Sequence, residues 1–147
     1  MSEPKTILII DDDPDFVRAM RHLLESRGHL IRSASDGQQG FDAARDIRPD
    51  LILLDVMMRE RTEGFFTLER IRSTPAIRST PVIIISSIYT DVPSFRVDPE
   101  AGWLPADLFL PKPVDPARLL AEVSRLTTGG ADAGRQTLAE PGERATP

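Results

Sequence analysis

The sequence predicts an α/β fold: a doubly wound sheet of five parallel strands with helices packed on both faces. Two observations carry that prediction. Short runs of Ile, Leu and Val alternate with segments of helical periodicity from residue 5 to residue 126. Three of those runs, at 5–10, 51–55 and 81–87, are continuously apolar where they would alternate with polar residues in a half-solvated sheet. Strands buried on both faces read this way.

Each element has its own signals. "KTILII" (5–10) is the first strand. Asp13 stands where an N-cap is needed, Pro14 suits a first helical position, and Phe16, Val17, Met20, Leu23 and Leu24 form an apolar stripe that Gly28 ends. "HLIRSA" (29–34) is the second strand, and the charge of Arg32 places it at a sheet edge. A Ser-Asp-Gly turn leads into a helix carried by Phe41, Ala44 and Ile47. "LILLD" (51–55) is the third strand, Phe65, Leu68 and Ile71 mark a third helix after Gly64, and "PVIIISS" (81–87) is the fourth strand. "DLFL" (107–110) is the fifth, and Asp115 with Pro116 opens a final amphipathic helix over 115–126.

Two stretches depart from the alternation. Where a fourth helix is expected, residues 88–106 carry Pro93, Pro99 and Pro105, separated by only five residues each time. Every proline removes a hydrogen bond and restricts its predecessor, so a Pro-rich loop is expected there instead. Residues 128–147 hold four Gly, four Ala and two Pro, with Leu138 as the single large apolar side chain. They are expected to form a disordered tail behind one folded domain spanning 1–127.

Composition excludes several function classes. A net charge of −5 without a basic run argues against a nucleic-acid surface. The absence of cysteine removes disulfides, thiolate metal sites and cysteine nucleophiles. No apolar stretch approaches the ~18 residues of a membrane span. The N-terminus lacks a basic region before its apolar run, so a signal peptide is not expected and the protein reads as cytoplasmic.

In an open parallel sheet, ligands gather at the carboxyl ends of the strands. Here the first strand ends in Asp11, Asp12 and Asp13, the third in Asp55, the fourth in Ser86 and Ser87, and Lys112 follows the fifth. Each has an ordinary structural explanation when taken alone: Asp13 as a cap, Asp55 as a turn residue, Ser86 as a strand-end hydroxyl, Lys112 as a solvated charge. Together they place carboxylates, a hydroxyl and an ammonium along one edge. Clustered carboxylates repel unless a cation joins them, and an all-oxygen set suits Mg²⁺. The lysine and hydroxyl suit phosphoryl oxygens, and one carboxylate would serve as nucleophile.

The stretches "ILIIDDDPDF", "PDLILLDVMM", "PVIIISS" and "FLPKPV" resemble the receiver domain of two-component response regulators, over roughly residues 4–127. The resemblance implies a flavodoxin-like strand order of 2-1-3-4-5. It implies Asp55 as the phosphoacceptor, and Asp11 and Asp12 as the acidic pair that holds Mg²⁺, with Asp12 and Asp55 as direct ligands and the Met57 carbonyl as a third. Ser86 takes the switch hydroxyl position, Phe109 the aromatic switch position, and Lys112 the phosphate-pairing position, with a cis Lys112–Pro113 bond. The implied donor is a histidine kinase or histidine phosphotransferase, docking on a face that includes Phe16, Ala19 and Pro113. Phe16 reads equally well as plain core packing.

The match has departures. The family places Pro four residues and Gly eight residues after the phosphoacceptor, whereas this chain has Arg59 at the first position and Gly64 nine residues on. The missing fourth helix puts the family's usual output face in question. The expectation is therefore a stand-alone regulator, monomeric or weakly dimeric, acting on an unknown downstream protein by contact or by phosphorelay, and not a turnover enzyme. Apolar Met57 and Ile88 beside the site suggest slow loss of the phosphoryl group. Two alternatives compete with this reading. A receiver-like module that binds partners without phosphate would typically lack part of this residue set. A haloacid dehalogenase-like phosphatase, suggested by Asp-x-Asp at 11–13, would leave Asp55 without a role.

Overall fold

The computed structural model describes residues 4–56, 63–86 and 106–127. Nine elements follow in chain order. They are β1 (Thr6–Ile10), α1 (Pro14–Glu25), β2 (Leu30–Ala34), α2 (Gly37–Ile47), β3 (Leu51–Leu54), α3 (Glu63–Arg72), β4 (Val82–Ser86), β5 (Leu108–Pro111) and, last, α4 (Pro116–Thr127). The strands form one parallel sheet in the order β2-β1-β3-β4-β5, the flavodoxin-like arrangement expected. The expected Pro-rich loop, the tail beyond 127, Met57, Arg59, Ser87 and Ile88 lie outside the described residues.

The apolar strands account for the layering. Successive side chains of a strand point to opposite faces. Leu8, Ile10, Ile52, Leu54, Val82 and Ile84 turn to one face, where Phe41 and Ala44 of α2 and Leu68 and Ile71 of α3 cover them. Ile7, Ile9, Leu51, Leu53, Ile83 and Ile85 turn to the other, under Met20 and Leu24 of α1 and Leu119 and Val123 of α4. β1 and β3 are buried on both sides. β2 is the edge strand that Arg32 announced: Arg32 is exposed and Leu30 is 64% exposed.

Local signals set the helix ends. Asp13 caps α1, its carboxylate accepting from the Asp15 and Phe16 amides, with Pro14 in the first turn. The helix closes at Ser26, two residues before Gly28, whose φ of +88° turns the chain towards β2. Asp36 caps α2 through the Gln39 amide, and Arg48 ends it in the left-handed region. α3 begins at Glu63, so Gly64 lies within the helix instead of ahead of it.

At the amino edge of the sheet, the Lys5 amide donates to Nδ1 of His29 at 3.1 Å. Burial, then the nearby Lys5 charge, lowers the His29 pKa below its ordinary 6.5. A group with a depressed folded pKa favours the folded chain above its unfolded pKa, and that contribution is lost as pH falls below it. Resistance of the native chain to denaturant should therefore fall as pH drops below 6.5, relative to His29→Asn, which keeps an acceptor but does not titrate. Parallel curves would remove His29 from the account.

Candidate phosphoryl-acceptor site

The candidate site stands where β1, β3 and β5 end. Asp11 follows β1 and Asp55 follows β3, each held by one more rung of the sheet: the Asp11 amide donates to the Ala34 carbonyl at 3.0 Å and the Asp55 amide to the Ile10 carbonyl at 2.9 Å. Both carboxylates are buried, at 3% and 5% exposure. Asp12 is half-buried beside them. Asp11, Asp12 and Asp55 each present a carboxylate oxygen within 4.8 Å of the other two.

Lys112 enters from the far side of the sheet, immediately after β5. Its Nζ lies 3.0 Å from Asp11 Oδ2 and 3.6 Å from Asp55 Oδ2. The Lys112–Pro113 bond is cis, as the resemblance implies. Asp11 is oriented from two sides, because its other oxygen accepts the Asp13 amide at 2.9 Å. Asp13 thus caps α1 with its side chain and fixes Asp11 with its backbone amide.

Burial raises the Asp11 pKa to about 6, and the neighbouring Asp55 charge adds to the rise, while the Asp13 amide and Lys112 pull against it. Among the described residues, three carboxylates gather around the single ammonium of Lys112, a local deficit of positive charge. That deficit, in an all-oxygen donor set, fits a hard divalent cation such as Mg²⁺.

Gly64 lets α3 approach this edge. A Cβ there would collide with the Val56 Cα and come within 2.6 Å of the Asp55 carbonyl oxygen. The first turn of α3 therefore lies directly against the backbone that carries Asp55. The expectation had Gly64 as a loop marker only; its steric role depends on packing that no local pattern encodes.

Other expected residues are distributed as follows. Ser86 closes β4, paired with Pro111 of β5, and its side chain is outside the described set. Phe109 packs half-buried against the α2–α3 side of the core. Ala19 and Pro113 are exposed. Phe16 is half-buried against the α1–α4 core, and its ring also faces Lys112 Nζ at 4.3 Å from the centroid, a contact the sequence did not announce. A groove of about 540 Å³ opens beside Asp11 and Asp12, bordered by Arg18, Arg21, Ser33, Ser35 and Gln39.

Comparison with known proteins agrees with this geometry. Residues 7–124 match the model of the response regulator receiver domain. The chain belongs to the response regulator receiver family. It is 36% identical over 118 residues to the transcriptional regulatory protein CpxR of Escherichia coli, covering 80% of this chain and 47% of CpxR. It is 34% identical over 122 residues to a gliding motility regulatory protein of Myxococcus xanthus, covering 82% of this chain and 15% of that protein. The chain thus spans half or less of the length of these relatives. The chemotaxis response regulator CheY4 of Vibrio cholerae superposes with a TM-score of 0.70 at 25% identity, covering 84% of this chain and 99% of that one. The receiver fold is shared across these proteins, and receiver domains are signalling domains. Among the described residues, no helix is long and apolar enough to cross a membrane.

The raised Asp11 pKa gives a test of the cluster. A group with a raised folded pKa favours folding below its unfolded value, and this contribution is lost as pH rises through the folded one. Without divalent cations, Asp11 should therefore favour the folded chain below pH 3.8 and lose that contribution by about pH 6. Carboxyl carbon NMR should place its titration near 6 in the native receiver and lower in Asp55→Asn, which removes the like charge. An unchanged titration in the variant would show that Asp55 does not act on Asp11.

Proposed function

We propose that this receiver accepts a phosphoryl group on the Asp55 carboxylate, using Mg²⁺ held by Asp11, Asp12 and Asp55. The observation that carries the reading is the bridging position of Lys112 between the Asp11 and Asp55 carboxylates at the end of the sheet. A rigid buried strand fixes Asp55 as nucleophile, and Lys112 Nζ stands close enough to meet an oxygen of the incoming group. When bound, the ion offsets charge on the carboxylates and on the phosphoryl oxygens.

In this reading the donor is a phosphohistidine of a histidine kinase or phosphotransferase. An Asp55 oxygen bonds to phosphorus as the donor's P–N bond breaks, and the electron pair leaves with the imidazole nitrogen, which takes up a proton. Asp11, Asp12 and Lys112 remain in place and do not change covalently. The donor would approach over Phe16, Ala19 and Pro113, of which Ala19 and Pro113 are exposed. Ser86 would bond a phosphoryl oxygen, and Phe109 would respond to it. Output would then pass by protein contact or onward transfer.

Incubation with Mg²⁺ and acetyl phosphate, followed by intact mass measurement, tests the reading. One added phosphoryl group on the native chain, absent in Asp55→Asn and absent when EDTA is included from the start, is the expected outcome. An adduct of equal extent in Asp55→Asn would move the acceptor elsewhere.

A further inference from the structure

The contact between Lys112 and Phe16 has no counterpart in the expectations drawn from the sequence. Lys112 is the cation of the site, with a side chain 22% exposed. Among the described residues its ammonium meets Asp11 Oδ2 at 3.0 Å, Asp55 Oδ2 at 3.6 Å and the Phe16 ring at 4.3 Å from the centroid. The first two are the groups that a bound cation and a phosphoryl group would engage. The third is the neighbour that neither would engage.

Phe16 is itself held firmly. Its amide donates to the Asp13 cap at 3.4 Å, in the first turn of α1, and its side chain packs half-buried against the core between α1 and α4. The same Asp13 fixes Asp11 through its own amide. One turn of chain therefore positions both the carboxylate and the aromatic face that meet Lys112. An ammonium over a ring face is attracted by the ring quadrupole, and the attraction strengthens as water is excluded.

We infer that Phe16 is a positioning residue: its ring is a fixed seat for the Lys112 ammonium, holding it at the phosphoryl site when the carboxylates are engaged elsewhere. The inference rests on Asp55 being the phosphoacceptor. It assigns Phe16 a role inside the chain, separate from any contact with a kinase. With a small phosphodonor no docking partner is present, so the two roles come apart.

The test compares the native chain with Phe16→Leu, which keeps an apolar side chain but loses the ring, and Phe16→Tyr, which keeps the ring. Phosphorylation by acetyl phosphate is followed by intact mass at saturating Mg²⁺, and Mg²⁺ affinity is measured separately by calorimetry. At saturating Mg²⁺, Phe16→Leu should be phosphorylated about fivefold more slowly, with Phe16→Tyr close to native. In NMR spectra the Lys112 Cε protons should show an upfield ring-current shift in the native chain and Phe16→Tyr, lost in Phe16→Leu. A native rate in Phe16→Leu overturns the seat while leaving Asp55 as acceptor. A slow Phe16→Leu whose NMR shifts change throughout the domain also overturns it, since the defect is then general. A native chain that takes no phosphoryl group overturns the acceptor reading, and the seat with it.

Discussion

Charge balance at the carboxyl edge of the sheet is the constraint on which the site depends. Asp11 and Asp55 are buried at neighbouring strand ends, where like charges repel and water gives little relief. Lys112 offsets part of that cost through one contact at 3.0 Å and another at 3.6 Å. Burial first, then the Asp55 charge, raises the Asp11 pKa to about 6, against the pull of the Asp13 amide and Lys112. A fold stabilised only for its own sake would not keep such a cluster, because a buried carboxylate costs free energy that an apolar residue does not. The arrangement makes sense as a seat for a cation and an anion that arrive from outside.

The sheet supplies the rigidity that this arrangement needs. β1 and β3 are adjacent and covered on both faces, so Asp11 and Asp55 stand on the least deformable part of the molecule. Lys112 comes from β5, two strands away from β3, and its long side chain spans the gap. α1 and α3 bring in the supporting parts: Asp13 and Phe16 from the start of α1, and Gly64 from the start of α3. A deformation of either helix start would reach Asp11 or Asp55 through one or two contacts.

Much of the fold was legible in the sequence because the strands are uniformly apolar and the helices carry plain caps. "ILII" and "LILL", short, apolar and bounded by Asp, read as buried strands, and Asp13-Pro14 is a strong helix start. The acidic cluster was legible too, since Asp11, Asp12 and Asp55 sit at strand ends that topology brings together. Three features were not. Gly64 looked like punctuation, whereas it is a contact between a helix and the Val56 backbone. The pairing of Phe16 with Lys112 joins residues far apart in sequence, and Phe16 fits its own helical stripe without it. The double duty of Asp13 depends on which way Asp11 turns, which periodicity does not fix.

In the proposed function, Lys112 and a divalent cation would share the Asp11 and Asp55 carboxylates and so oppose one another. Calorimetric titration with Mg²⁺ tests this most directly, on the native chain, Asp12→Asn and Lys112→Ala. The account predicts one ion per native chain, weaker binding in Asp12→Asn and tighter binding in Lys112→Ala, because a positive charge 3.0 Å from Asp11 has been removed. Unchanged or weaker binding in Lys112→Ala would contradict it.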